Sequence, residues 1–260
     1  MTDDTLRPLA VITGASSGIG RELAIKAAMR GYRLLLVSRN EYALRELERT
    51  LHTRVDYLAL DLTKDGSVDR ICSWLSEHDL VPEILINNAG FGAFGPAIQM
   101  DTGHLSRMIH LNVDALTILS IRLGRRMANH GGGRILNVAS TAAFQPCPQM
   151  AVYGATKAYV LSFSEALGEE LKGSGVTVTA LCPGPTRTNF GVNAGLKADS
   201  PFDHWATDPE NVARCGFNAM MRGEPVVVQG FLNKVGSVLA RLTPRSIVTA
   251  FTNYLIKQMK

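Results

Sequence analysis

The stretch VITGASSGIGREL (residues 11–23) runs from a β-branched segment through a glycine-rich turn into a helical pattern. Its three glycines, Gly14, Gly18 and Gly20, fall between the first predicted strand and the first predicted helix. Glycine allows a tight turn and lets backbone N–H groups come close to a ligand, and the positive end of a helix dipole favours an anion there. The junction therefore predicts a seat for a pyrophosphate, with Ser16, Ser17 and Ile19 inside it. The spacing Thr-Gly-x-x-x-Gly-x-Gly differs from the plain G-x-G-x-x-G pattern. A glycine turn without a ligand is the simpler reading of these residues alone; their place at the opening of a strand–helix–strand unit speaks for the ligand.

Further along the chain, short apolar runs at 9–14, 33–39, 55–62, 83–90, 133–140, 176–184 and 225–230 read as strands. The segments 18–31, 40–52, 64–79, 102–130, 149–173 and 208–222 are long enough to be crossover helices. Strand–helix alternation with near-continuous apolar strands predicts a seven-stranded parallel sheet covered on both faces, the doubly wound α/β arrangement. A chain of 260 residues, 46% of them apolar, is long enough for one large core, and no repeat, low-complexity tract or linker marks a second domain.

Several function classes are disfavoured by composition. The four cysteines, Cys72, Cys147, Cys182 and Cys215, form no CxxC or Cys/His cluster, and the six histidines show no ligand spacing, so neither a disulfide framework nor a metal site is expected. The formal net charge of +4 is spread among acidic residues over most of the chain, and no nucleic-acid partner is expected. The first residues, MTDDTLRPLAVITG, lack the layout of a signal peptide, and no apolar run reaches the roughly 18 residues of a spanning helix, so a cytoplasmic protein is expected.

A dinucleotide on the glycine turn would place its adenosine ribose at the end of the second strand, roughly 20 residues on. That place reads LLLVSRN, with Ser38 and Arg39 where an acidic residue would bind a free 2′-hydroxyl. A guanidinium suits a 2′-phosphate, so the expected cofactor is NADP(H). Asp61 and Leu62, ending the third strand, are placed beside the adenine; an aspartate there serves equally often as a helix cap.

The second informative stretch is AVYGATKAYVLSF (151–163), in which Tyr153 and Lys157 lie four residues apart. A helix puts i and i+4 on one face. Lowering a phenol pKa by two or three units takes roughly 3–4 kcal/mol. An ammonium about 4 Å away at an effective dielectric near 20 supplies on the order of 4 kcal/mol, so the pair is expected to give a proton donor and acceptor usable near neutral pH. Taken alone, such a pair more often only packs on a surface. Ser140, ending the strand RILNVAS at the carboxyl edge of the sheet, could hold a substrate carbonyl oxygen beside the tyrosine, and Asn112 could orient the lysine or a water leading to it.

At these residues the chain resembles the short-chain dehydrogenase/reductase family: TGASSGIG (13–20), NNAG (87–90), Asn112, Ser140, YGATK (153–157) and PGPTRT (183–188) match its motifs in order and spacing over about residues 8–230. The resemblance implies a Rossmann fold and a catalytic set of Asn112, Ser140, Tyr153 and Lys157. In it the tyrosine exchanges the proton, the serine holds the carbonyl, the lysine binds the nicotinamide ribose and lowers the tyrosine pKa, and the asparagine anchors a water relay. It further implies that the NNAG segment, with Asn87, Asn88, Ala89 and Gly90, lines the cofactor cleft, that Pro183, Gly184, Thr186 and Thr188 approach the nicotinamide, and that the protein is a homo-oligomer, dimer or tetramer.

The substrate side is expected to be apolar, lined by Phe91, Phe94, Ala142, Phe144, Pro146, Met150 and Phe190, with Phe202 and Trp205 from a lid at 189–206. This favours a hydrophobic ketone, aldehyde or alcohol, the simpler reading being apolar residues that close over the cofactor or pack at an interface. The resemblance of the C-terminal tail to those of ketoacyl and steroid reductases of the family implies a ketoacyl or steroid-like substrate. The end of the chain, 231–260, carries five basic residues and no acidic one, with apolar residues at helical spacing around Pro244, and reads as a basic amphipathic helical extension. Docking on the body or a sister subunit is the commoner use of such a segment; peripheral contact with an anionic membrane is the other. The expected activity is NADP(H)-dependent hydride transfer. The alternatives are a catalytically silent NADP(H)-binding sensor or scaffold and, behind it, a sugar-nucleotide epimerase or dehydratase.

Overall fold

The computed structural model describes residues 7–196 and 206–257. The strands are β1 Leu9–Thr13, β2 Arg33–Ser38, β3 Val55–Ala59, β4 Pro82–Asn87, β5 Gly133–Val138, β6 Val176–Cys182 and β7 Val226–Val228. They form one sheet in the order β3-β2-β1-β4-β5-β6-β7, every pair parallel. The helices are α1 Gly18–Met29, α2 Glu41–Thr50, α3 Ser67–Glu77, α4 Thr102–Ile109, α5 Leu116–Ala128, α6 Ala151–Glu170, α7 Phe190–Asn193, α8 Pro209–Met221, α9 Phe231–Leu242 and α10 Arg245–Lys257. This is the seven-stranded doubly wound arrangement expected from the alternation.

The reason is visible in the strands. All five residues of β1, LAVIT, are buried, as only a central strand covered on both faces can be. On one face, Leu23, Ala24 and Ala27 of α1 and Val212 and Phe217 of α8 pack against Ile12, Leu34 and Leu136. On the other, Ile71 and Leu75 of α3, Leu119 and Leu123 of α5 and Leu167 of α6 pack against Val11, Leu35 and Ile135. Helix starts follow local chemistry: Asn40 accepts from Ala43 N at 3.1 Å, Asp101 from His104 N at 2.7 Å, and Asp208 from Glu210 N at 2.9 Å with Pro209 at the first helical position.

The chain leaves β1 for β2 and β3 on one side, then crosses to β4 on the other. That reversal opens a crevice beyond the carboxyl ends of β1 and β4, where ligands bind in sheets of this type.

The predicted helix 102–130 departs from the expectation. A π-helical stretch, His110–Ala115, separates α4 from α5. A π turn inserts one residue into the helical repeat, and such turns recur at functional sites. This one contains Asn112, fully buried.

Candidate active site

The glycine turn is built around contacts that only a hydrogen side chain permits. Gly18 has φ +53, and a Cβ on Gly20 would lie 2.2 Å from the Gly14 carbonyl oxygen and 2.3 Å from Asn88 Nδ2. Asn88 Nδ2 donates to the carbonyl oxygens of Thr13 and Gly14, each at 3.1 Å, while Thr13 Oγ1 accepts from the backbone N–H groups of Asn88 and Ala89. The NNAG segment thus stitches the end of β4 to the turn after β1. Ser17, the N-cap of α1, makes no side-chain capping bond, and the first turn of α1 holds no acidic residue. The first-turn N–H donors, Ile19 among them, are left to an anion, so the residues fit a dinucleotide pyrophosphate.

Asn87 corrects one expectation. Its side chain does not line the crevice: Nδ2 donates to Ser120 Oγ and Asn137 Oδ1, each at 2.9 Å, inside the core. Successive residues of a strand point to opposite faces, so Asn87 and its neighbour cannot both serve the cleft. Leu62 is similar, for its side chain belongs to the core around Ile71 and Leu75.

On the adenosine side, Ser38 Oγ donates to Ser16 Oγ at 2.7 Å, joining the end of β2 to the glycine turn, and Arg39 next to it is exposed. Asp61 Oδ1 accepts from Thr63 N at 3.0 Å and Thr63 Oγ1 at 2.8 Å, and the cap of α3 is Gly66 instead. Burial acts to raise the Asp61 carboxyl, but the Thr63 hydrogen bonds and then the positive Arg39 and Lys64 outweigh it, leaving the group below its ordinary value.

Tyr153 and Lys157 lie one turn apart on α6, both buried. The Tyr153 phenol lies beside the side chain of Ser140, whose Oγ accepts from Ala142 N at 3.1 Å. The backbone bond from Thr141 N to Pro183 O at 2.9 Å extends the β5–β6 pairing and holds the PGPTRT loop alongside. In that loop Thr186 Oγ1 donates to Gly184 O at 3.0 Å, and Thr188 Oγ1 accepts from Phe190 N at 3.2 Å. The Thr188 methyl would be 2.8 Å from a Cβ on Gly18, so the loop closes over the glycine turn.

Asn112 Nδ2 donates to Phe91 O at 2.9 Å and Thr156 Oγ1 at 3.1 Å, and its Oδ1 accepts from Phe91 N at 3.1 Å. Thr156 Oγ1 in turn donates to Tyr153 O at 2.7 Å. Thr156, which no signal in the sequence singles out, joins the first turn of α6 to the asparagine. The asparagine side chain fastens α6 to the loop after β4, where Gly90 brings it near Lys157.

The electrostatics reverse what the sequence predicts. Burial pushes the Tyr153 phenol up to about 12, with the Ser140 hydrogen bond opposing and Cys147 adding to the rise. Burial pushes the Lys157 ammonium down to about 8. Lys157 Nζ donates to Val138 O at 2.8 Å and sits 5.8 Å from the centroid of the Tyr153 ring. The loss of hydration suffered by both groups exceeds the attraction available at that separation. The chain's own groups therefore keep Tyr153 protonated at neutral pH.

A pH dependence follows from Lys157. Its lowered folded-state value, about 8 against 10.5, means that between those limits the unfolded chain binds the proton more tightly. Its destabilising contribution is complete below pH 8 and is relieved as pH rises toward 10.5. The buried thiols Cys147 and Cys182, raised from 9.0 to about 11 and about 12, act oppositely above pH 9. Comparing wild type with Lys157→Met by chemical denaturation isolates the lysine: the variant should gain on the wild type at pH 7, and the difference should shrink between pH 8 and 10. A constant difference means that the ammonium is not held at a cost.

Around the tyrosine, Phe91, Ala142, Met150 and Phe190 join Ala93 and Met108 in one apolar cluster, and the Phe190 ring lies 5.2 Å from that of Tyr153. Phe144 does not belong to it. The ring packs instead with Val226 and Val228 beneath the Arg241 guanidinium, 5.0 Å from its centroid. Residues 141–144 form a 3₁₀ turn, whose three residues per turn send positions 142 and 144 in different directions. Phe202, Trp205 and half of the predicted lid, 197–205, lie outside the described residues; the described part holds α7, and after it Ala194 O accepts from Phe94 N at 2.8 Å.

No sequence signal marked Gln149, just before α6. It has φ +63, unfavourable for a glutamine, and its amide Oε1 is buried without a hydrogen-bond partner.

With this geometry in view, comparison with known proteins defines the class. The short chain dehydrogenase family model matches residues 8–223, and the chain belongs to this family of oxidoreductases. Among solved structures, a short-chain dehydrogenase from Sphingobium yanoikuyae in complex with NADPH is 33% identical with a TM-score of 0.80, covering 92% of this chain and 97% of its own. The bulky-bulky ketone specific alcohol dehydrogenase of Comamonas testosteroni is 31% identical, with a TM-score of 0.75 and coverage of 90% and 93%. A 3-ketoacyl-(acyl-carrier-protein) reductase of Brucella melitensis complexed with NADH is 27% identical, with a TM-score of 0.76 and coverage of 86% and 97%.

Proposed function

We propose that the protein is an NADP(H)-dependent oxidoreductase acting on a carbonyl or alcohol carbon of a hydrophobic substrate. The observation that carries this reading is the buried Tyr153 phenol beside Ser140, with Lys157 one turn on, next to a glycine turn whose helix donors are uncapped. A bound nicotinamide dinucleotide supplies the hydride donor or acceptor and, when oxidised, a positive ring near the phenol. Ser140 Oγ donates to the substrate oxygen and holds it. Tyr153, protonated at neutral pH, gives its proton to that oxygen in the reductive direction and takes it back in the oxidative one. Lys157, next to the crevice, steadies the ribose and the charge that develops on the tyrosine. Asn112 keeps α6 in register with the loop after β4.

The apolar cluster around Tyr153 supports a bulky hydrophobic substrate, as does the likeness to a ketone-specific alcohol dehydrogenase. For the cofactor, relatives of this fold are found with NADPH and with NADH, so the choice falls on the end of β2. Exposed Arg39 beside the Ser16–Ser38 pair favours the 2′-phosphate.

A panel of ketones, aldehydes and 3-ketoacyl thioesters with NADPH and NADH, followed by absorbance of the reduced cofactor, tests the reading. No turnover with any substrate of the panel counts against it. Arg39→Asp should move the NADPH/NADH preference by about 10- to 100-fold, the worth of a hydrogen bond to a charged group. Unchanged selectivity takes Arg39 out of phosphate recognition.

A further inference from the structure

We propose that α9 and α10 form a peripheral docking surface for an anionic lipid bilayer. The two helices present their apolar sides outward. Nine of the seventeen exposed large apolar side chains among the described residues lie on them, including Phe231 at 79%, Leu232 at 71%, Leu242 at 78% and Phe251 at 60% exposure. The sides facing the body bury polar side chains and one apolar one: Asn233 Nδ2 donates to Gln229 O at 2.8 Å, Ser237 and Thr252 are buried, and Val248 is buried beside them. A helix that packs only on its own domain buries its apolar stripe; these leave most of theirs exposed. Apolar residues scattered singly need no explanation, but a patch concentrated on two consecutive helices marks an interaction surface.

The charge chooses the occupant. Residues 231–260 carry Lys234, Arg241, Arg245, Lys257 and Lys260 and no acidic residue. A two-fold contact between copies sets each patch against itself, which brings cations toward cations across the apolar faces. An anionic bilayer complements both features at once, taking the exposed apolar side chains among its acyl chains while exposed Arg245 and a segment free of acidic residues favour anionic headgroups. At 12 and 13 residues neither helix is long enough to cross, and no helix among the described residues is long and apolar enough to do so. The contact lies in the plane of the surface. Arg241, stacked on Phe144, ties the body-facing side of α9 to the 3₁₀ turn that Ser140 caps, so the docked helix is joined to the candidate active site through one short segment.

The test uses the full chain in flotation with phosphatidylcholine vesicles, with and without phosphatidylglycerol, alongside sedimentation analysis of the lipid-free protein. Binding is expected to be at least about tenfold stronger with the anionic lipid, and Arg245→Gln should weaken it about fivefold. Leu232→Glu with Phe251→Glu, both exposed and therefore compatible with folding, should abolish binding while leaving the lipid-free oligomer unchanged. Equal or negligible binding to the two vesicle types overturns the proposal. So does a wild type that stays off the vesicles while the double variant falls to a smaller oligomer, the outcome expected of an interface between copies.

Discussion

Tyr153→Phe is expected to lower kcat/KM by about 10²–10⁴, the range set by loss of a positioned proton donor, while dinucleotide affinity stays within about threefold. The substitution removes one oxygen and keeps the ring, so packing against Phe190 and within the apolar cluster is retained. The oxygen lost is the one that lies beside Ser140. Steady-state rates together with a fluorescence titration of NADPH check both halves. A variant that keeps most of its rate removes the tyrosine from the mechanism. The sensor or scaffold alternative gives a different pattern: both proteins bind the dinucleotide and neither turns over.

The second large effect is structural. Gly20→Ala would improve helix propensity by about 1 kcal/mol in an open helix. Here the added methyl carbon would stand 2.2 Å from the Gly14 carbonyl oxygen and 2.3 Å from Asn88 Nδ2, far inside contact distance. These two atoms bond to each other, and Asn88 also holds Thr13, so relief means opening the joint between the glycine turn and β4. Overpacking with loss of buried hydrogen bonds outweighs the propensity gain, and a net destabilisation of about 3 kcal/mol is expected, a fall in Tm of roughly 6–12 °C. Dinucleotide binding should fall with it. Gly236→Ala, in α9 where the methyl group meets nothing within 4 Å, is the control and should raise stability slightly. A Gly20→Ala protein as stable as wild type would show that the turn yields without cost.

The parts of this protein that depend on local pattern were legible. β1 and α1 bracket the glycine turn as the run VITGASSGIGREL predicts, and the buried strands appear as apolar runs because a sheet covered on both faces leaves no polar side. Tyr153 and Lys157 share a helix face because i and i+4 must. Where burial in three dimensions decides, the reading strayed. Asn87 sits in the same motif as Asn88 but points into the core, and Phe144 lies two residues from Ala142 but on another side of a tight turn. The π turn around Asn112 left no trace in a segment whose apolar spacing reads as an ordinary helix.

The sequence by itself determined the class of fold, the order of its elements, and the sharing of one helix face by Tyr153 and Lys157, because periodicity and glycine placement are local properties of the chain. Only the tertiary structure decided the charge state of the Tyr153–Lys157 pair and the outward turn of the apolar faces of α9 and α10. Both depend on how much water remains around a group once distant segments have packed, and hydration is a property of the assembled molecule that no spacing of residues encodes.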